Sequence, residues 1–203
     1  MKNYFQATSE NIDIAIKYLN EEKLIIHSTD TIPGLAADAT SDNAIKALIK
    51  LKGRPGPYSI IVRSIKHIQE FALLDDIIIK KIESILPGPF TILLKNNYQN
   101  NLSNFVLGDS NLIGFRIPNH SFTNNLLSKF KKPIITTSLN LTEEQPIINL
   151  EKVSEHFKEL VIFDDENRKA SKGSTILNFS SKNLKIIRKG DGEYILWNPI
   201  LEF

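Results

Sequence analysis

The sequence predicts an α/β fold: one domain over residues 1–203, built on a twisted mixed sheet of parallel and antiparallel strands with helices packed around it. Three observations predict it. Short apolar runs of strand type alternate with stretches of helical spacing along the whole chain. Some of those runs follow one another with no helix between them, which an all-parallel sheet does not allow. The composition never breaks: there is no repeat and no low-complexity linker, and 203 residues that are 41% hydrophobic and 24% charged suffice for one sizeable core.

The elements follow in order. Ile12, Ala15, Ile16 and Leu19 have helical spacing behind Ser9, a candidate cap. Residues 24–27 read as a short buried strand ending at a hydroxyl-rich turn, Ser28-Thr29-Asp30-Thr31-Ile32-Pro33-Gly34. Ser41 opens a second helix with Ile45, Leu48 and Ile49 inward, and Lys52 and Arg54 fall just past its last turn. Pro55 and Pro57 forbid further helix and Gly56 supplies a turn into a strand at 58–62, so residues 28–63 read as a β-α-β span. Helices are expected at 65–71 and 75–86, the second stopped by Pro87-Gly88-Pro89, and strands at 90–95 and 112–117. Between those strands the polar, Asn-rich segment 96–110 reads as a long surface loop that could serve as a lid. A helix capped by Ser121, with Phe122, Leu126, Leu127 and Phe130 inward, precedes a strand at 133–137 that runs into Ser138-Leu139-Asn140. Loop 142–149, a helix at 150–159 with Val153 and Phe157 inward, and strands at 160–163, 175–179 and 184–187 complete the chain.

Several function classes are disfavoured by content alone. No apolar run approaches the roughly 18 residues of a membrane helix. The first residues lack the apolar region of a signal peptide, so a cytoplasmic location is expected. With no cysteine there is neither a disulfide nor a thiolate nucleophile. The four histidines, His27, His67, His120 and His156, show no metal-ligand spacing, and neither a Walker A run nor a Gly-x-Ser-x-Gly elbow occurs. No covalent catalyst is expected.

Charge is informative through its distribution, since the net value is only +2. Residues 44–66 carry six Lys or Arg and no acid, 110–142 carry four, and 168–189 carry seven, while 151–166 hold six acids and two lysines. The three basic segments either converge on one polyanion-binding face or cover three separate surfaces; charge alone leaves both open. Lys52 can act as a point charge and Arg54 can fork onto two phosphate oxygens, although a helix C-terminus favours such residues anyway. Ser138 and Asn140 follow a strand directly, where ligands of open α/β sheets sit, or they form a plain turn. Arg116 inside the apolar run Ile-Gly-Phe-Arg-Ile-Pro needs a ligand carboxylate or an internal salt bridge. Gly173-Ser174-Thr175, ahead of a strand, has the same ambiguity.

Taken together, Thr29-Asp30-Thr31 with Gly34-Leu35, Lys52-x-Arg54-Pro55, Leu86-Pro87-Gly88-Pro89-x-Thr91, Gly114-Phe115-Arg116-Ile117-Pro118, Ser138-x-Asn140, Ser174-Thr175 and Ile187-Arg188-x-Gly190 resemble the YrdC-type threonylcarbamoyl-adenylate synthase family in its short, single-domain form. The motifs occur in family order over nearly the whole chain. The resemblance implies a YrdC-like sheet around a basic concave groove. It also implies a nucleotidyltransferase that joins L-threonine, bicarbonate or CO2 and ATP into threonylcarbamoyl-AMP with release of pyrophosphate. A partner complex would then pass the group to tRNA. By the same resemblance Lys52, Arg54, Ser138, Asn140, Asn149 and Arg188 would hold ATP, with Mg²⁺ as its counter-ion. Thr31, Arg116 and Ser174 would hold threonine. Arg63 stands where the family has a histidine facing threonine and would bind threonine through its carboxylate, and Tyr58 could stack on adenine. The second reading is a non-catalytic module binding double-stranded RNA or tRNA, which would need basic residues but no Ser-x-Asn and would weaken steeply with salt. The third is a related carbamoyl-adenylate enzyme with another acceptor.

Overall fold

A computed structural model describes residues 3–142, 144–181 and 184–194. Among these residues ten strands form one sheet in the order β1-β8-β2-β3-β7-β4-β6-β5-β9-β10. They are β1 (Tyr4–Gln6), β2 (Ile25–His27), β3 (Gly34–Asp38), β4 (Ser59–Ile61), β5 (Phe90–Lys95), β6 (Leu112–Arg116), β7 (Ile134–Ser138), β8 (Val161–Asp164), β9 (Thr175–Asn178) and β10 (Lys185–Arg188). The pairs β1·β8, β2·β8, β4·β6 and β5·β9 are parallel and the remaining neighbours antiparallel, so the sheet is mixed as expected. Among the described residues no helix is long and apolar enough to cross a membrane.

Among the described residues the five α-helices are α1 (Ile12–Asn20), α2 (Asp42–Lys52), α3 (Ile65–Ile68), α4 (Asp76–Glu83) and α5 (Ser121–Phe130). Strand alternation divides the core in two. One face of the sheet presents Ile26, Leu35, Ile60, Phe115 and Ile135 to Ala44, Ile45 and Leu48 of α2, Ile68 of α3 and Ile82 of α4. The other presents Ile25, Ala36, Ile61, Ile134 and Phe163 to Ile12, Ala15 and Leu19 of α1 and to Phe122, Leu126 and Leu127 of α5. Helices α1 and α5 therefore seal one half of this second face.

Several elements depart from expectation. The 28–63 stretch is not a simple β-α-β unit: after the hydroxyl turn the chain reverses into β3, which pairs antiparallel with β2. Strand β3 reads Gly-Leu-Ala-Ala-Asp, and alanine and glycine carry little strand signal. Strand β1 is only three residues long. The helix expected at 150–159 is two 3-10 turns, Leu150–Lys152 and Glu155–Phe157, broken at Val153, whose backbone is extended (φ −69°, ψ 134°). The Asn149 side chain caps the first turn, and extended Ser154 sets off the second, so no run reaches helical length. Helix α5 is capped by the His120 side chain rather than Ser121, and Ser9 starts a 3-10 turn without a side-chain cap bond. Ser41 caps α2 through Ala44 N–H as read. Loop 96–110 is pinned: Tyr58 N–H donates to the Val106 carbonyl at 2.9 Å, Ser103 N–H to that of Ala39 at 2.9 Å, and Val106 is fully buried.

Candidate functional site

The half of the second sheet face that α1 and α5 leave open carries the site. Along β7, Ile134 lies under the helices, whereas Thr136 and Ser138 on the same face line a cavity of about 210 Å³. Strands β3 and β4 repeat the change: Ala36 and Ile61 pack into the core, and Gly34 and Ser59 line the cavity. In register Thr136 faces Ser59, Ser59 faces Gly114, Thr91 faces Ile176 and Ile176 faces Arg188. The cavity thus takes residues from the amino ends of β3 and β4 (Gly34, Ser59), the carboxyl ends of β6, β7 and β10 (Arg116, Ser138, Arg188) and the middle of β7 (Thr136). A mixed sheet has no common carboxyl edge, so both kinds of strand end meet here, and Ser138 lies at the carboxyl end of β7 as expected.

Two glycines keep the face concave. A Cβ on Gly114 would stand 2.5 Å from Ser59 Oγ, and one on Gly34 would stand 3.0 Å from the Thr137 carbonyl oxygen and 3.1 Å from Thr136 Oγ1.

Six residues expected at a site, Thr31, Arg54, Arg116, Ser138, Ser174 and Arg188, line this cavity together. Each basic segment contributes one arginine, so the segments meet through Arg54, Arg116 and Arg188. Other cations serve elsewhere: Lys129 pairs with Asp13 at 2.6 Å and Lys132 with Asp38 at 2.7 Å.

At one end, Gly53 closes α2 in a left-handed turn (φ 70°) that aims Lys52 and Arg54 differently. Lys52 is buried, and its Nζ donates to the Ser138 carbonyl (2.9 Å), the Asn140 carbonyl (2.6 Å) and Asn140 Oδ1 (2.8 Å). Ser138 Oγ donates to the same Oδ1 at 2.6 Å, and Asn140 Nδ2 to the Glu144 carbonyl at 2.8 Å. Lys52 and Asn140 therefore tie the helix end to the loop, and neither lines the cavity. Burial first, and then the Arg54 charge, lower Lys52 to about 8. Arg54 lies over the Tyr58 ring, its Cζ 5.7 Å from the centroid, and the Tyr58 hydroxyl donates to the Arg54 carbonyl at 2.6 Å. Tyr58 lines the cavity but is 3% exposed, with Arg54 over its ring.

At the other end, Arg116 Nη2 donates to Asp30 Oδ1 (2.7 Å) and Thr31 Oγ1 (2.9 Å). The internal salt bridge, one of two possibilities open from sequence, is the one formed. Burial lowers the Arg116 guanidinium from its ordinary value and Asp30 opposes the shift. Ser174 Oγ lies 2.7 Å from Thr91 Oγ1, and Arg188 Nη2 donates to the Ser174 carbonyl at 2.7 Å and to its Oγ at 3.1 Å. Burial lowers Arg188 as well.

Arg63 and Asn149 are not brought to the cavity. Arg63 is exposed past the far end of β4, and Asn149 is exposed with its Oδ1 accepting Glu151 N–H at 2.9 Å. The four histidines lie outside the cavity too. His27 is fully buried, and burial, followed by the nearby His120 and Arg116, lowers it to about 3, so it is neutral. Sequence reasoning missed Asp30, Ser59, Thr136 and Thr137. The switch from Ile-Ile to Thr-Thr-Ser within β7 was the available signal for the threonines.

Fold and cavity define a class: a mixed α/β sheet whose open face gathers three arginines and a row of hydroxyls, groups whose chemistry suits an anionic ligand. Comparison with known proteins makes this specific. The family model Sua5_yciO_yrdC, described as telomere recombination, matches residues 17–190, and the chain belongs to that family. A threonylcarbamoyl-AMP synthase of Psychromonas ingrahamii is 29% identical over 149 residues, covering 71% of this chain and 77% of its own. One of Vibrio campbellii is 26% identical over 188 residues, covering 89% of this chain and 100% of its own. Among solved structures, P. abyssi Sua5 complexed with L-threonine shares the fold, with a TM-score of 0.80 at 24% identity over 92% of this chain; this chain spans 56% of that one.

Proposed function

We propose that this chain is a threonylcarbamoyl-AMP synthase, joining L-threonine, inorganic carbon and ATP with loss of pyrophosphate. The observation that carries the reading is the two-ended cavity, with Arg54 and Ser138 at one end and Thr31, Arg116 and Ser174 at the other. The names borne by the relatives support it, and they do not favour the RNA-binding module or a different acceptor. The threonine amine adds CO2 to give a carbamate. A carbamate oxygen then attacks the α-phosphorus, the new O–P bond forms, and the bond to pyrophosphate breaks, its electron pair leaving with pyrophosphate. No protein nucleophile is required. The work is the placement of two anions against each other, which guanidinium and hydroxyl groups fixed on a rigid sheet can do.

In this reading Arg54 and Ser138 meet the ATP phosphates, Thr31, Arg116 and Ser174 hold threonine, and Arg188, which donates to Ser174, reaches the nucleotide from the threonine end. Lys52 and Asn140 act by fixing the Ser138 loop. Mg²⁺ would accompany the ATP phosphates as their counter-ion. Transfer onward to tRNA falls to a partner complex.

The test is pyrophosphate release from ATP with threonine and bicarbonate each withheld in turn. Release should require both. Release indifferent to threonine would remove the assignment. Arg54→Ala, which deletes a partly exposed side chain, should lower kcat/KM at least about 100-fold, the scale of losing one charge-stabilising donor, with an unchanged melting curve.

A further inference from the structure

Asp30 lies next to the cavity without lining it. It opens instead on a second cavity of about 490 Å³, shared with Asn119, His120 and Asp165. Both its oxygens are engaged. Oδ2 accepts Asn119 N–H at 2.9 Å and Oδ1 accepts Arg116 Nη2 at 2.7 Å. The two side chains are 8% and 7% exposed, so the pair is almost wholly removed from water.

A guanidinium can offer a carboxylate either of two forks, Nε with Nη2 or Nη1 with Nη2, and Nη2 belongs to both. Here Asp30 and Thr31 take both hydrogens of Nη2. Nε is buried without a partner among the described residues, and no hydrogen bond there engages Nη1. A substrate carboxylate in the first cavity therefore cannot fork onto Arg116 while Asp30 holds it.

We propose that Asp30 is a positioning residue for the amino-acid subsite: anchored by Asn119 N–H, it grips Arg116 Nη2 and so turns the guanidinium to present Nη1 to the substrate's carboxylate for a single hydrogen bond. This rests on the synthase reading for the identity of the amino acid. An arginine held by one edge loses its rotational freedom before the ligand arrives, and a ligand then binds a prepared donor rather than ordering a loose one. Asp30 acts through Arg116 and touches no reacting atom.

The experiment compares threonine binding by calorimetry, and KM for threonine and ATP in pyrophosphate release, for the wild type, Asp30→Asn and Asp30→Glu. Asp30→Asn should weaken threonine binding and raise its KM about 10-fold or more, with ATP KM within about 2-fold and kcat within about 3-fold of wild type; this is the scale of one lost positioning contact of about 1.4 kcal/mol. Asp30→Glu, which keeps the charge, should recover part of the loss. Because removing one partner of a buried pair can unfold the chain, Asp30→Glu decides the matter where Asp30→Asn does not fold. A rise in threonine KM of about 3-fold with ATP KM unmoved is then expected. Tighter threonine binding in Asp30→Asn would overturn the proposal by making Asp30 a competitor for Arg116. Equal threonine KM in all three proteins would overturn it while leaving the synthase reading intact. A wild type that binds no threonine would end both.

Discussion

Replacing Lys52 by methionine keeps an unbranched apolar stem in α2 and deletes the ammonium that joins it to the loop after β7. Nζ donates three hydrogen bonds of 2.6–2.9 Å, to the Ser138 carbonyl, the Asn140 carbonyl and Asn140 Oδ1. Two of these acceptors keep a second donor, since Asn140 N–H reaches the Ser138 carbonyl at 3.1 Å and Ser138 Oγ reaches Asn140 Oδ1 at 2.6 Å. The Asn140 carbonyl is the one left bare. Bonds to a charged group contribute roughly 1.5–3 kcal/mol each, and release of the buried ammonium to water returns part of that. A net loss of about 2 kcal/mol, confined to the loop, is the balance. At about 1.4 kcal/mol per decade that is roughly a 30-fold more frequent local opening. Hydrogen exchange should therefore quicken roughly 30-fold at the amides of Asn140 and Leu141, with kcat/KM for ATP falling by much less, since activity follows the closed fraction rather than the opening frequency. If exchange there stayed at the wild-type rate while ATP KM rose, Lys52 would be a direct phosphate ligand and the clamp argument would be wrong.

The same lysine sets an alkaline limit. Its folded pKa of about 8 lies below its ordinary 10.5, so protonation of the folded state costs stability below about 8, and that cost fades as pH rises from 8 to 10.5. The neutral amine has two hydrogens for three acceptors. Pyrophosphate release should then decline through pH about 8 while the urea midpoint does not, and Lys52→Met should lack the decline. Gly114→Ala places a Cβ 2.5 Å from Ser59 Oγ and 3.2 Å from Thr91 Cγ2; an overpacking loss of about 1–3 kcal/mol in urea unfolding is expected, relieved when Ser59→Gly is added. For Asp164, burial raises the carboxyl, but hydrogen bonds from Arg168, Tyr4 and Ser28 outweigh it and leave the pKa lowered. Its contribution is present above the ordinary 3.8 and is lost as pH falls through the lower folded value. Asp164→Asn should flatten the acid limb of a stability-versus-pH curve below pH about 4, and a limb that stayed as steep would mean that other carboxylates govern it.

What could be read from the sequence follows from how local each cause is. Helix α2 was legible because Ser41, its apolar stripe and Pro55 are all signals within about fifteen residues, although the Gly53 cap that ends it was not read. The meeting of three arginines was not, since Arg54, Arg116 and Arg188 come from separate basic segments and the sheet order alone brings them together. Strand β3 escaped because Gly34 and its alanines were selected for fit: Gly34 leaves the cavity room and Ala36 lies close under α1 and α5, and neither demand resembles strand propensity. The sharpest case is Lys52 against Arg54. Motif reasoning gives these neighbours one role, because both are cations on one loop. One left-handed residue between them sends the first into the protein and the second to the cavity wall. A short motif records which side chains are needed together; the backbone turn at Gly53 decides which of them meets the ligand and which holds the other groups in place.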